Sequence, residues 1–366
     1  MRMRYIMSAI GGFALVPAAT VLGQPAVHWI PALDPGQECF AEAISSDGST
    51  VIGRSRRTPA SGTNNEAFRW TLAIGIQGIG FPGVPVEGSG AVSVNADATA
   101  VLGLVAGLNQ PAIWTAESGW TSLSGLQHEA TASSLSADGS IVAGTYVLPG
   151  GGFEAFRWTA VGGPVTIGPG GATGMSGNGG VICGVNFATG YRWTEATGSV
   201  ALAPFPGRTY ARADAVSLDG TTIVGEADVG VATVAAHAVR WVGNGLLEDL
   251  GDIAGGGDGS RALAVNADGS VIVGQGAGPA GSEASLWTAQ TGMVSLKAHL
   301  MSLGVPGLEN WHLIQATAIS ADGMVIAGYG RRGPTPAPTE GFVAVIPAPA
   351  SALVLVGVAV VARRRR

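Results

Sequence analysis

The sequence predicts an all-β fold, a β-propeller, on three observations. Asp- or Asn-centred turns recur seven times, at Asp47, Asp97, Asp138, Asn178, Asp219, Asp268 and Asp322. Each turn has a Gly six residues later (Gly53, Gly103, Gly144, Gly184, Gly225, Gly274, Gly328) and an Ala six residues earlier (Ala41, Ala91, Ala132, Ala172, Ala213, Ala262, Ala316). One Trp falls between consecutive turns, at Trp70, Trp114, Trp158, Trp193, Trp241 and Trp287, with Trp29 ahead of the first. A period of roughly 46 residues is the size of a four-stranded propeller blade.

Each element of the unit has its own reason. The Asp-Gly pair favours a tight hairpin turn in which both central residues take positive φ. Asp97 is followed by Ala98 and is the weakest copy. Ser or Asn two positions before the Asp offers a hydrogen bond to the turn backbone. Strand alternation places that residue, the small residue four before the Asp and the Ala six before it on one face. Small residues there fit an innermost strand, where seven strands crowd one axis. In the third strand, Phe68 with Trp70 and Phe156 with Trp158 share a face and fill the gap between blades. A fourth strand follows, as in GWTSL and GSVAL. After the last turn EGFVAVI has no Trp strand behind it, whereas VHWIPAL stands alone at the start. Pairing the two closes the ring and removes its edges. The expectation is seven four-stranded blades closed by the N-terminal strand; one irregular copy would make the count six or eight.

Composition agrees with a single closed array. The chain has 366 residues, 59 of them Gly, with 46% hydrophobic and only 12% charged residues. So much apolar surface requires burial. Six of its 19 basic residues, Arg2, Arg4 and Arg363 to Arg366, lie in terminal segments, which leaves 13 against 25 acidic ones. An acidic body argues against nucleic acid as a partner, since phosphate contacts need clustered Lys and Arg. Cys39 and Cys183 fall in repeats one and four, nearly half a ring apart, too far to bridge.

The ends carry addresses. Residues 1–23 have a basic start, an apolar stretch and small residues before a cleavage point between Gly23 and Gln24, the pattern of a secretory signal peptide. Residues 24–346 then form the propeller, and 347–366 a tail. In the tail, Pro347 and Pro349 break regular structure, Ala350 to Ala362 is apolar, and Arg363, Arg364, Arg365 and Arg366 end the chain. An apolar run of that length is shorter than the ~30 Å hydrocarbon core. It suits a transient stop in the membrane, with the arginines on the cytoplasmic side. This tail resembles the PEP-CTERM sorting signal, with Ala348 where that family has Glu. The resemblance implies an exosortase-like membrane protease as a transient partner. It also implies export to the surface or exterior of a Gram-negative cell that makes extracellular polysaccharide.

The repeat resembles the HAF family of extracellular repeats. Its clearest copy is HAVRWV from His237, LGDIAGG from Leu250 and NADGSVIVG from Asn266. The resemblance implies the fold and an extracellular setting, and no catalytic residues.

Chemistry is sparse. His28, His128, His237, His299 and His312 have no metal-type spacing. Neither a nucleophile elbow nor a phosphate loop is present. Each turn offers one carboxylate, whereas calcium wants six to eight oxygens. No cofactor is implied. Arg69, Arg157, Arg192 and Arg240 precede the repeat Trp and could pair with the turn Asp of the same blade. Arg192 beside Asn178, and Ile113 and Leu286 in that column, exclude an obligatory ion pair.

Trp120 and Trp311 lie outside the repeat. Trp120 points away from the main apolar row, so it either packs on the next blade or stacks on a sugar ring. Trp311 sits in an insertion that caps one end of the ring, and long loops on a rigid scaffold carry binding.

Two functional readings follow. The first is an exported, non-catalytic propeller that binds or adheres at the cell surface or in the exopolysaccharide matrix. The alternative is an exported polysaccharide hydrolase or lyase, for which Glu38, Glu42, Asp214, Glu226 and Asp228 are the candidate acids.

Overall fold

The computed structural model describes residues 24–347, apart from 59–63, 81–87, 106–109, 231–235, 244, 280 and 334–336. Gly23, Pro349, Arg363, Arg364, Arg365 and Arg366 lie outside the described residues.

Strand β1 (Ala26–Ile30) opens the chain, and four antiparallel strands follow: β2 (Cys39–Ile44), β3 (Thr50–Arg57), β4 (Asn64–Thr71) and β5 (Gly75–Gly78). The second unit is β6 (Ser89–Val94), β7 (Ala100–Val105), β8 (Gln110–Thr115) and β9 (Gly119–Ser122). The third is β10 (Glu129–Leu135), β11 (Ile141–Val147), β12 (Phe153–Thr159) and β13 (Gly163–Pro169). Next come β14 (Gly171–Met175), β15 (Ile182–Asn186), β16 (Thr189–Thr194) and β17 (Gly198–Ala201), then β18 (Ala211–Val216), β19 (Thr222–Asp228), β20 (Ala236–Val242) and β21 (Leu246–Gly251). The sixth unit is β22 (Ser260–Val265), β23 (Val271–Gly278), β24 (Gly281–Thr288) and β25 (Gly292–Ser295), followed by the short helix α1 (Leu296–Ser302). Last are β26 (Trp311–Ile319), β27 (Val325–Arg332) and β28 (Thr339–Val345), with β1 antiparallel to β28 on the outer edge of their sheet.

The expectation of seven four-stranded blades is corrected. Five four-stranded sheets stand alone, and β14 to β21 form one eight-stranded sheet. The join is a single parallel pair, Thr189 with Ala211, where the Ala211 N–H donates to the Ala188 carbonyl at 2.9 Å. On either side of it lie two ordinary antiparallel units.

Each turn is held by one repeated network. The buried Ser45 hydroxyl donates to Asp47 and accepts from the Thr50 N–H, while Asp47 accepts from the Ser49 N–H. Ser136, Ser176, Ser217 and Ser320 do the same in their own turns. At Asn95 and Asn266 the side-chain carbonyl instead accepts the strand N–H. The expectation of positive φ at both turn residues is corrected: only the second takes it, as at Gly48 (φ 72°), while the Asp carboxylate folds back on its own turn. In the second turn that burden falls on Ala98, at φ 58°.

The signature Gly has a steric cause. In every repeat the inner strand bulges one residue after the signature Ala, skipping Glu42, Val92, Ser133, Thr173, Asp214, Leu263 or Thr317 in the pairing. The signature Ala pairs with the signature Gly, and a Cβ on that Gly would overlap the carbonyl oxygen of the residue before the Ala: Phe40, Gly90, Thr131, Gly171, Arg212, Arg261 or Gln315. An aromatic ring also fills the space over five of them, from Phe68, Trp120, Phe156, Tyr191 and Phe342.

The turns themselves are joined into a circle of backbone hydrogen bonds. Ser46 N–H donates to the Ala96 carbonyl, Ala96 to Ala137, Ala137 to Gly177 and Gly177 to Leu218. Asp219 then donates to Ala267, Ala267 to Ala321, and Ala321 back to Ser46, at 2.8–3.2 Å throughout. A small cavity of about 150 Å³ lies within this belt.

Two stability predictions follow. Ala98→Gly relieves a left-handed alanine and should stabilise the fold by about 0.5–1 kcal/mol, whereas Gly225→Ala should cost about 2–3 kcal/mol, both read by denaturant melts. Equal small effects from both changes would refute the steric account. The second concerns acid. The hydroxyl of Ser136, with the Ser140 N–H, holds the Asp138 carboxyl at about 2, and Asp47, Asp97, Asp219 and Asp268 are also lowered. For depressed carboxylates the stabilisation is complete above the unfolded value near ~4 and is lost as pH falls through the folded value. Melting temperature should therefore drop between pH 4 and pH 2, and Asp138→Asn should make that drop shallower.

Candidate functional site

The repeat constrains the turn face of the ring, so departures from repetition show best on the inner two strands at the other side. There each unit presents one cross-strand pair, formed by the residue before the signature Ala and the residue after the signature Gly. In units two to four these pairs are Gly90 with Leu104, Thr131 with Thr145 and Gly171 with Val185. In units five, six, seven and one they are Arg212 with Glu226, Arg261 with Gln275, Gln315 with Tyr329 and Phe40 with Arg54. Half the ring is small or apolar, and the adjoining half is charged, amide and aromatic.

The polar half is continuous. Arg261 grips the Asp214 carboxylate with Nη2 at 2.6 Å and Nε at 2.8 Å, and Arg212 holds the same group at 2.8 Å. The Asp214 side chain is 6% exposed, so its charge is compensated almost out of water. Arg261 also stands 3.9 Å from Glu226, which accepts the Tyr210 hydroxyl at 2.6 Å. Burial, then that hydrogen bond, push the Tyr210 phenol up to about 12, so it stays neutral and a donor. Across the next boundary Gln315 donates to Gln275 at 2.7 Å and accepts from Tyr329. The Tyr329 ring meets Phe40 edge-on at 5.1 Å, and the Arg54 guanidinium lies 4.8 Å over Phe40 while pairing with Glu42 at 3.0 Å. Burial raises the Glu42 carboxyl, and Arg54 partly offsets this.

Between units five and six this surface deepens into a cleft of about 720 Å³. Tyr210, Glu226, Arg261, Gln275 and the exposed Ser282 line it, together with Asp228 and the exposed Asp258. A second hollow of about 510 Å³ lies beside Arg54, Asn65, Gln110 and Glu129.

The candidate acids therefore fall into two groups. Asp214, Glu226 and Asp228 gather at the cleft, with Asp228 3.9 Å from Arg208 and accepting the Gly230 N–H. Glu42 and Glu38 sit in unit one, paired with Arg54 and Arg56. Every one of the five has a cationic neighbour. Arg212, Arg261, Gln275, Tyr210 and Tyr329 were not singled out from the sequence. Aligning the seven copies and comparing the column before the signature Ala exposes Arg212 and Arg261, and the column after the signature Gly exposes Gln275 and Tyr329.

Both candidate sugar-stacking tryptophans are corrected. Trp120 is 9% exposed, and its indole N–H donates to the Ile79 carbonyl at the end of unit one. Its ring covers Gly103, the space taken by Phe68, Phe156, Tyr191 and Phe342 in other copies, because the equivalent third-strand residue here is Ala112. Trp311 is 6% exposed and stacks on Trp29 with centroids 3.3 Å apart. With Leu300 and Leu308 it packs the helical insertion against β1. Neither offers a free face to a ligand.

The arginines ahead of the repeat Trp also have different partners from those expected. Arg192 donates to the Gly220 carbonyl and Arg240 to the Gly269 carbonyl, each in the turn of the following unit. A backbone acceptor explains why Arg192 needs no Asp at position 178. His237, in the HAF-like copy, lies between Asp249 at 3.1 Å and Asp252 at 2.9 Å and ties β20 to the end of β21. Cys39 and Cys183 are buried free thiols in different sheets, and burial pushes each up to about 12. Among the described residues no group of His, Cys, Asp and Glu is placed to hold a metal ion, and no helix is long and apolar enough to cross a membrane.

No family model and no curated protein matches the chain. Solved structures do. The β-propeller domain of the Trilobed protease from Pyrococcus furiosus, described as having an open velcro topology, aligns with a TM-score of 0.58 at 10% identity over 84% of this chain and 95% of its own. The β-propeller domain of Cps50 (Swd1) from Myceliophteria thermophila aligns at 0.51, with 11% identity over 87% and 100%. The fold is a β-propeller. TolB from Acinetobacter baumannii gives 0.44 at 12% identity, over 89% of this chain and 98% of its own. At such identities the likeness extends to the fold alone.

Reassignment of Trp120 from ligand to core is testable. Trp120→Ala should destabilise the propeller by about 3–5 kcal/mol in denaturant melts. A fully stable variant would return the side chain to the surface.

Proposed function

We propose that this chain is an exported, non-catalytic β-propeller that binds its ligand through the polar half-ring, at the cell surface or in the exopolysaccharide matrix of a Gram-negative cell. We count the eight-stranded sheet as two blades, giving seven, with β1 supplying the outer strand of the last. The belt of seven backbone bonds and the pairing of Ala26 with Val345 support that count.

The carrying observation is the confinement of charged and aromatic pairs to four consecutive units, in a frame that tolerates Gly and Val at the same positions. The chain ends favour the same reading. Ala26 lies opposite Val345, and the Ile346 N–H donates to Met324 beside the last turn, so both ends leave on the turn side, away from the half-ring. Pro347, first residue of the sorting tail, is exposed there, and Gln24 lies two residues before β1. Engagement of the tail during export would therefore leave the polar face uncovered.

The hydrolase or lyase alternative needs a carboxylate free to take or give a proton. Asp214 is held by two arginines, Glu226 by Tyr210 and Arg261, and Glu42 by Arg54. Binding suits such pre-paired groups better than acid–base chemistry.

The test is the intact mass of the native protein from membrane, surface and supernatant fractions. A surface or supernatant species lacking about the first 23 and last 20 residues is expected. A species that keeps Arg363 to Arg366 in the inner membrane would defeat the export reading.

A further inference from the structure

The cleft between units five and six has a charge balance that selects among ligands. Arg261 and Glu226 line it 3.9 Å apart, and behind Arg261 the Asp214 carboxylate is held by both Arg261 and Arg212. Arg261, the one arginine that lines the cleft, spends both Nε and Nη2 on Asp214. Arg208 faces Asp228 and donates to the Gly230 carbonyl, and Asp258 adds an exposed carboxylate. An incoming uronate, sulfate or phosphate would find the charge of Arg261 already balanced by Asp214 and Glu226, and would face the further carboxylates of Asp228 and Asp258. Displacing Arg261 to receive it would leave Asp214 short of a partner at 6% exposure, which is costly.

What the cleft offers instead is a mixture of donors and acceptors with no surplus of positive charge. Glu226 uses one oxygen on Tyr210 and Arg261, which leaves the other as an acceptor. Gln275 accepts from Gln315 through its carbonyl, so its amide N–H groups remain donors. Ser282 is exposed and contributes a hydroxyl, and Gly259 and Gly281 leave backbone accessible along the cleft. The Tyr210 ring adds an apolar surface on which a pyranose face can rest. A volume of about 720 Å³ falls within the range of small-molecule sites.

We infer that this cleft binds an uncharged glycan, a chain of neutral hexoses, in preference to acidic polysaccharide. The inference rests on the surface-binding reading above and assigns its ligand class and its place. Sugar hydroxyls would take the free Glu226 oxygen, held in place by Tyr210 and Arg261, and the Gln275 amide, held by Gln315.

The experiment titrates the protein as recovered from the surface or supernatant fraction with neutral hexose oligosaccharides and, in parallel, with uronic acid oligosaccharides, at low salt and in 0.5 M NaCl. Cells that carry exopolysaccharide provide a second binding readout. Two variants are compared: Glu226→Gln, and Ser282→Trp, which blocks the cleft from an exposed position and leaves the buried network intact. Neutral oligosaccharides should bind with little salt dependence, and each variant should weaken them by about tenfold or more, the loss of roughly one charge-assisted hydrogen bond. Preferential, salt-sensitive binding of uronates would overturn the ligand class. Neutral-glycan or cell binding that survives Ser282→Trp unchanged would remove the cleft as the site while sparing the surface-binding reading. Absence of binding to cells as well as to both sugars would overturn that reading itself.

Discussion

Everything else in this molecule hangs on the circle of backbone hydrogen bonds that joins the seven turns. The turn's own side chains pair the N–H groups that follow the Asp, while other backbone groups of the turn need partners beyond it, since unpaired groups there would be costly. Each turn answers by donating its N–H to the next carbonyl round the ring. This works only if every turn has the same shape. The Ser or Asn, the Asp or Asn and the left-handed glycine supply that shape, so their recurrence reflects a requirement of closure more than of any single hairpin.

The bulge after the signature Ala is the second common device. It admits an extra residue on the inner strand and turns that residue out of the pairing, which brings a neighbouring carbonyl down over the next strand. Only glycine fits beneath. The bulged residue can then reach sideways: the hydroxyl of Thr173 donates to the Ala213 carbonyl and that of Thr317 to the Ala41 carbonyl, each in the following unit. At the same position Asp214 reaches Arg261 of the following unit. One backbone feature thus provides both a structural strap and the anchor of the polar cleft.

Much of this was legible in the sequence, because the turn, the signature Gly and the repeat Trp are local demands repeated seven times. What escaped depends on neighbours. The partner of Arg192 is a carbonyl in the next unit, invisible to reasoning within one repeat. Trp120 looked outward because Leu123 and its counterparts defined the apolar row, yet Ala112 leaves a hole that only an aromatic from another strand can fill. The parallel join at Thr189 involves a single pair and leaves no compositional trace. The polar half-ring did leave one, in a column that strand alternation treats as unremarkable.

That column also provides an internal control that most binding sites lack. At equivalent positions the same backbone carries Gly with Leu, Gly with Val and Thr with Thr, so stability places no demand on charge there. Burying Asp214 against two arginines is at best a break-even exchange with apolar packing of the same volume. Four consecutive units nevertheless keep groups whose partners lie across unit boundaries, Arg261 on Asp214 and Gln315 on Gln275, as well as Tyr329 on Phe40. A scaffold that can do without such groups nevertheless holds them in one unbroken arc, and that arc is the support for the binding role proposed above.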